Sequence, residues 1–278
     1  MVKITVLTDN NTFIDRYFLA EPGLSFYIEE GPTRILFDCG YSDVFLRNAT
    51  AMGIDLALLD HVVLSHGHLD HTWGLMDWIR MVGSARFENR LFKKPNLVTH
   101  PRTLMATSAD SVGEIGSMLS AQSLSSYFHV ALSATPVALT ERITFLGQIP
   151  RIMDFEPNMV IVRKEGEYQA DDLSEDSALV YAGDCGLVII TGCSHAGICN
   201  IVEYARKVCG DSRVVDVIGG LHLLDPSQSQ LEGTLSYLAK LNLRGLHACH
   251  CTDLASKIAL SSVAPLQQTG VGLTLQYP

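Results

Sequence analysis

Long apolar runs are missing from this chain; none approaches the roughly twenty residues needed to cross a bilayer. Also missing are a Pro/Gly/Ser-rich linker, a low-complexity tract and an internal repeat. Nothing in the 278 residues forces a division, so a single domain over 1–278 is expected. Cations are the scarcer charge, 20 Lys plus Arg against 30 Asp plus Glu, for a net charge of −10. Nucleic acid and anionic membranes, which reward clustered Lys and Arg, are therefore not expected partners. A small phosphorylated substrate is still admitted, because a cation inside a cleft reverses the local field. The seven cysteines are odd in number and lack the regular spacing of a disulfide framework. Met1 to Leu7 reads at once as a strand, without the basic region, apolar stretch and cleavage site of a secretory signal. A reducing, cytoplasmic setting is the expectation, and a homo-oligomer is compatible with it.

What is present is a regular alternation of short β-rich runs and amphipathic stretches. Val2–Leu7, Leu24–Glu29, Arg34–Asp38 and His61–Ser65 read as strands. Ser42 is placed to cap a helix over about Asp43–Met52, ended by Gly53, and a second helix is expected near Asp70. Later the rhythm repeats, with strands at Leu187–Thr191, Val214–Ile218 and Leu246–Cys249 and helices at Ile198–Cys209, Gln230–Leu241 and Asp253–Ser262. Strands and helices alternating at this spacing predict an α/β layered fold. The stretch from about Gly83 to Pro157 is the least regular and reads as an insertion that shapes a substrate pocket.

Directly after one strand the chain reads Ser65-His66-Gly67-His68-Leu69-Asp70-His71. Alternate side chains of an extended segment share a face, so His66 and His68 can reach one metal together. Asp70 and His71 are adjacent and diverge, which makes two metals the economical solution, with the second taken by Asp70 and His71. Neutral imidazole and carboxylate suit Zn²⁺ first, with Mn²⁺ or Fe as alternatives. Four residues do not close two sites. His195, His222 and His250 each follow an apolar strand run and are the candidates to complete them. Cys193 lies beside one of these, near enough to belong to the surroundings of the metals. Asp38, ending another strand, is placed to orient a ligand histidine from behind. Trp73 follows the cluster and could face the pocket, and Arg151 could clamp a phosphate or carboxylate.

The His66-x-His68-x-Asp70-His71 pattern, preceded by Asp38 at a strand end, resembles the signature of the metallo-β-lactamase superfamily. The resemblance implies an αββα four-layer sandwich, two sheets face to face with helices outside and the metals at one edge. A narrower resemblance, to the branch named for a dihydropterin-ribofuranosyl-aminobenzene phosphate synthase, spans nearly the whole chain. It rests on Asp9-Asn10, Gly23-Leu24-Ser25, Gly147-Gln148-Ile149-Pro150-Arg151, Thr191-Gly192-Cys193-Ser194-His195-Ala196-Gly197, Gly219-Gly220-Leu221-His222-Leu223 and His250-Cys251-Thr252. Trp73, Gln148 and Asp253 depart from that branch, which usually has Gly, Glu and Gly there. The wider superfamily bridges its metals with an Asp on a later strand, and the matching strand end here is Gly192-Cys193. Cys193, a water or a neighbouring histidine are the alternatives for that place.

Two chemistries follow. In hydrolysis, a metal-activated water attacks an ester, lactone or phosphoester-type small molecule. His66, His68 and His195 then form one site and Asp70, His71 and His250 the other, with His222 completing a site or protonating the leaving group and Asp70 taking part in catalysis. In the branch's transfer reaction, a dihydropterin diphosphate is joined to an aminobenzene ribofuranosyl phosphate. A redox di-iron protein is disfavoured because its relatives of this fold carry Glu where this chain has His68. A non-catalytic ligand sensor is the third alternative, since fold alone does not fix activity.

Overall fold

The computed structural model describes residues 1–109, 112–156, 160–164, 167–171 and 173–278, and side chains outside 157–172. The chain opens with β1 (Val2–Thr8), β2 (Ser25–Glu30) and β3 (Thr33–Phe37), followed by α1 (Val44–Ala51), β4 (His61–Val63), α2 (Leu69–Thr72) and α3 (Leu75–Phe87). Short elements fill the middle: β5 (Asn96–Thr99), β6 (Thr107–Ala109), β7 (Gly113–Glu114), α4 (Ala121–Leu124), β8 (His129–Leu132), β9 (Val137–Ala138), β10 (Ile143–Phe145), β11 (Val160–Lys164) and β12 (Glu167–Asp171). The last part runs β13 (Ala178–Gly183), β14 (Gly186–Thr191), α5 (Ile198–Cys209), β15 (Val214–Gly220), α6 (Gln228–Leu238), β16 (Gly245–Cys249), α7 (Leu254–Leu260) and β17 (Thr274–Tyr277).

Seven strands form one sheet in the order β17-β1-β2-β3-β4-β5-β8, and six form another in the order β16-β15-β14-β13-β10-β9. Period-two alternation assigns each strand two faces, and both are apolar here. Ile4, Val6, Phe26, Ile28, Ile35 and Phe37 of the first sheet pack with Phe145, Leu179, Tyr181, Val188, Ile190 and Ile218 of the second. This is the layer between the sheets. Their neighbours in sequence point outward: Leu7, Leu36 and Val62 meet Phe45 of α1 and Trp78 and Val82 of α3. On the other side Val180, Ile189 and Val217 meet Ile198, Val202 and Ala205 of α5 and Leu260 of α7. Helix, sheet, sheet, helix is the four-layer α/β sandwich expected from the sequence.

Some local readings change. Asp43 is the N-cap residue of α1 but makes no side-chain cap bond; the Ser42 hydroxyl accepts from Val44 N at 3.4 Å, as a cap would, while donating to Glu21 Oε2 at 2.5 Å. The segment expected to be irregular supplies β5 and β8 to the first sheet and β9 and β10 to the second. β6 and β7 join β11 and β12 in a small third sheet ordered β12-β11-β6-β7. Residues 110, 111 and 157 of that segment lie outside the described residues. Strands of two to four residues are too short to carry a periodicity, which is why they were not legible.

The parallel sets β3-β4-β5 and β14-β15-β16 matter for function. Parallel strands deliver their C-terminal ends to the same edge. Asp38 after β3, His66 after β4, Cys193 and His195 after β14, His222 after β15 and His250 after β16 all emerge there.

Candidate metal centre

His66, His68 and His195 each bring one ring nitrogen to a common point, all within 4.8 Å of one another. Their rings stand nearly edge to face, with centroids 4.7 Å apart for His66–His68, 4.8 Å for His66–His195 and 4.7 Å for His68–His195. The first two come from the bend between β4 and α2, not from the extended segment expected, and still reach the same point. The third arrives from the opposite sheet. Burial, aided by the neighbouring histidines, pushes the His66 and His195 imidazoles well below their ordinary pKa, so both are held neutral. His66 Nε2 and both ring nitrogens of His195 are buried with no hydrogen-bond partner. Orphaned neutral imidazole nitrogens converging on one point fit a divalent cation.

Asp70, His71, Cys193 and His250 form a second set, again with ligand atoms within 4.8 Å of one another. His71 Nε2 lies 3.1 Å from Cys193 Sγ and 3.2 Å from His250 Nε2, and His250 Nε2 lies 3.1 Å from Asp70 Oδ2. Burial works to raise the Asp70 carboxyl, but the His71 charge and the His250 hydrogen bond win and hold it well below the usual carboxylate range. Burial likewise pulls His71 down, yet the Asp70 and Asp38 carboxylates push it up to about 9. Positive charge is therefore favoured between these groups, whether a proton or a metal supplies it. The two sets adjoin, with the His66 and His71 rings 4.3 Å apart.

Groups behind the ligands fix their orientation. Asp38 Oδ2 is 2.7 Å from His71 Nδ1, and the same carboxylate accepts from the Ser65 N–H and hydroxyl, both at 2.7 Å. The end of β14, from the other sheet, packs directly against this cluster. A Cβ on Gly192 would fall 2.1 Å from Ser65 Oγ, so only glycine fits at the end of β14. Asp9 Oδ1 accepts from His250 N at 2.9 Å, while Asn10 Oδ1 is 3.0 Å from His250 Nδ1. The loop carrying His195 is held by Asp176, which accepts from Ala196 N at 2.8 Å, and by Glu156, which accepts from Cys199 N and Asn200 N at the start of α5.

The remaining expected residues lie nearby. His222 is in neither ligand set. Its ring lies 4.2 Å from that of His195, tilted by 55°, and its Nδ1 is buried without a hydrogen-bond partner. Burial would lower its pKa, but the hydrogen bond and charge of Cys251 and the charge of Asp176 raise it. Arg151 donates to the carbonyls of His195 and Leu173, at 3.1 and 3.4 Å. It braces the ligand loop from beneath. A cavity of about 390 Å³ opens beside His68 and Asp70, lined also by Pro22, Tyr41, Leu69 and Ile115. Trp73 stands behind this wall: its indole stacks on Tyr41 at 5.3 Å and donates to Gly116 O at 2.7 Å. Sequence reasoning assigned no role to Asp9, Asn10, Tyr41 or Asp176. Asp9 and Asn10 had a usable signal, following β1 as Asp38 follows β3.

Residues 19–85, which span Asp38 and the first histidine cluster, match the model of the metallo-beta-lactamase superfamily. The 7,8-dihydropterin-6-methyl-4-(beta-D-ribofuranosyl)-aminobenzene-5′-phosphate synthase of Methanocaldococcus jannaschii is 30% identical, over 92% of this chain and 89% of that protein. The chain belongs to the metallo-β-lactamase superfamily. An uncharacterized protein of the same organism is 29% identical over 94% of both chains. A crystal structure described as a metal-dependent hydrolase of the beta-lactamase superfamily superposes with a TM-score of 0.82, at 26% identity over 99% of both chains. Cys193, one of the alternatives for the place of the bridging Asp, brings its Sγ among the second set of ligand atoms.

Proposed function

We propose that this superfamily member is a metal-dependent hydrolase of a small ester, lactone or phosphoester carrying an apolar group. The observation that carries the reading is the pair of adjoining donor sets, His66/His68/His195 and Asp70/His71/Cys193/His250, beside a largely apolar cavity. Two divalent cations bound there, Zn²⁺ in first place, would make a water nucleophilic near neutral pH and polarise the oxygen under attack. Tyr41, Leu69, Ile115 and Pro22 hold the apolar part of the substrate, leaving its polar end against His68 and Asp70. Asp70, kept ionised by its neighbours, accepts a proton from the attacking water. His222 delivers one to the leaving group from beside His195.

A panel of aryl esters, lactones and phosphodiesters, assayed with added Zn²⁺ or Mn²⁺, tests the reading. Turnover that needs metal and disappears in His68→Ala supports it; metal-loaded protein that turns over none of them counts against it.

A second reading has its own support, since the M. jannaschii relative is named a synthase. There the same cavity would hold a dihydropterin, and an aromatic amine rather than water would attack. Coupling of a dihydropterin diphosphate to an aminobenzene ribofuranosyl phosphate would establish it, and no coupled product would remove it.

A further inference from the structure

Parallel strands β14, β15 and β16 send their C-terminal ends to the metal ligands, so their N-terminal ends lie together at the opposite edge. A cavity of about 650 Å³ opens there, between the ends of α5 and α6 and the starts of β15 and β16. Arg206, Arg213, Lys240 and Arg244 line it, and Glu203 is the only carboxylate in its lining among the described residues. One fifth of the 20 Lys and Arg thus meet at a single cavity, in a chain whose net charge is −10.

Two of the four cations are already held. Arg206 Nη1 donates to Glu203 Oε1 at 2.6 Å, and the Tyr237 hydroxyl donates to the same oxygen at 2.6 Å. Arg213 grips Asp211 through Nε and Nη2, at 3.0 and 2.7 Å. Lys240 and Arg244 are exposed and have no carboxylate partner among the described residues. With Asp211 and Glu203 both counted, two positive charges are left over. Cations near a helix end also offset its dipole, which accounts for Arg206 in the last turn of α5 and Lys240 just past α6. Arg213 and Arg244 immediately precede β15 and β16, where no such reason applies. The Arg244 N–H donates to Val215 O at 2.8 Å, which fixes the root of its side chain beside β15. Val215, Tyr237 and Leu241 give the cavity an apolar wall.

We propose that this cavity is a second binding site, for a small organic phosphate. Its anionic group meets Lys240 and the planar fork of Arg244, and its ring or carbon skeleton lies against Tyr237 and Leu241. The volume suits one small molecule. A polyanion such as RNA fits less well, because the charge outside the cavity is acidic in sum. β15 is seven residues long, so roughly 20 Å of strand separates the site from the metal centre, and its existence does not rest on the hydrolase reading.

Phenylphosphonate is the probe, because it joins a ring to a phosphoryl anion and has no ester bond to hydrolyse. Calorimetric titration of the full chain, zinc-loaded and stripped by a chelator, should find a site that survives removal of the metal. Arg244→Ala and Lys240→Ala should each weaken it by about tenfold or more, as loss of a charge-assisted hydrogen bond does. Both side chains are exposed, so the variants should melt as the parent does. Benzyl alcohol, a ring without the charge, should not compete. In soaked crystals the density of the probe should lie beside Arg244. Binding that is lost with the metal, or no binding at all, overturns the proposal, as do affinities that neither substitution changes. Tighter binding of a short single-stranded RNA, weakened by the same substitutions, overturns the assignment to a small ligand. Absence of hydrolysis by zinc-loaded protein would remove the proposed activity while leaving this result standing.

Discussion

Asp38 Oδ2 lies 2.7 Å from His71 Nδ1, and neither side chain has any solvent exposure. Asp38 also adopts a left-handed backbone, at φ 58°, which a non-glycine residue holds only when its surroundings insist. The contact keeps the proton on Nδ1 and turns Nε2 toward Asp70, Cys193 and His250. Asp38→Asn presents three donors, the Ser65 N–H, the Ser65 hydroxyl and His71 Nδ1–H, with one carbonyl oxygen and an amide nitrogen that cannot accept. Zinc affinity should fall by about 10–100-fold, the usual effect of losing such a partner. Calorimetric titration of the variant reads it directly, and unaltered affinity would mean that His71 is oriented by something else.

Asp176 offers a pH test. Its side chain is fully buried, and burial raises its carboxyl to about 7 against the pull of the Ala196 N–H and Arg151. The unfolded carboxyl titrates near its ordinary value of about 4. Between those two values the folded protein binds more protons than the unfolded one. Stability of the metal-free protein should therefore decline as pH rises from about 4 through about 7 on account of this group. Asp176→Asn keeps an oxygen for Ala196 N and removes the ionisation. Thermal melts of the two proteins should diverge across that window, with the variant relatively more stable at the upper end. Parallel curves would show that Asp176 does not titrate there.

Tyr41 is the aromatic face of the cavity, and Trp73 backs it. Tyr41→Ala removes apolar contact away from the reacting bond, so KM for substrates with an apolar group should rise by roughly tenfold or more while kcat changes little. A fall in kcat with unaltered KM would place Tyr41 in the chemistry instead.

Much of this centre was legible because its geometry is local. His66 and His68 stand two residues apart in the short turn that follows β4, and His195, His222 and His250 each announce themselves after an apolar strand. The separation of His222 from the ligand sets was not legible, because it depends on how the turn after Gly220 aims the ring. Neither was the meeting of Asp9 with His250, which requires the end of β1 in one sheet to reach the end of β16 in the other. β13 went unread although Ala178–Gly183 is largely apolar and Ser174-Glu175-Asp176-Ser177 marks its start. β17, at four residues and half exposed, carries too little pattern to be distinguished from a tail.

The most direct measurement is anomalous scattering from crystals soaked in zinc. Two peaks are predicted, one among His66, His68 and His195 and the other among Asp70, His71, Cys193 and His250. No peak at either place after soaks in zinc, manganese and iron would contradict the account at its root.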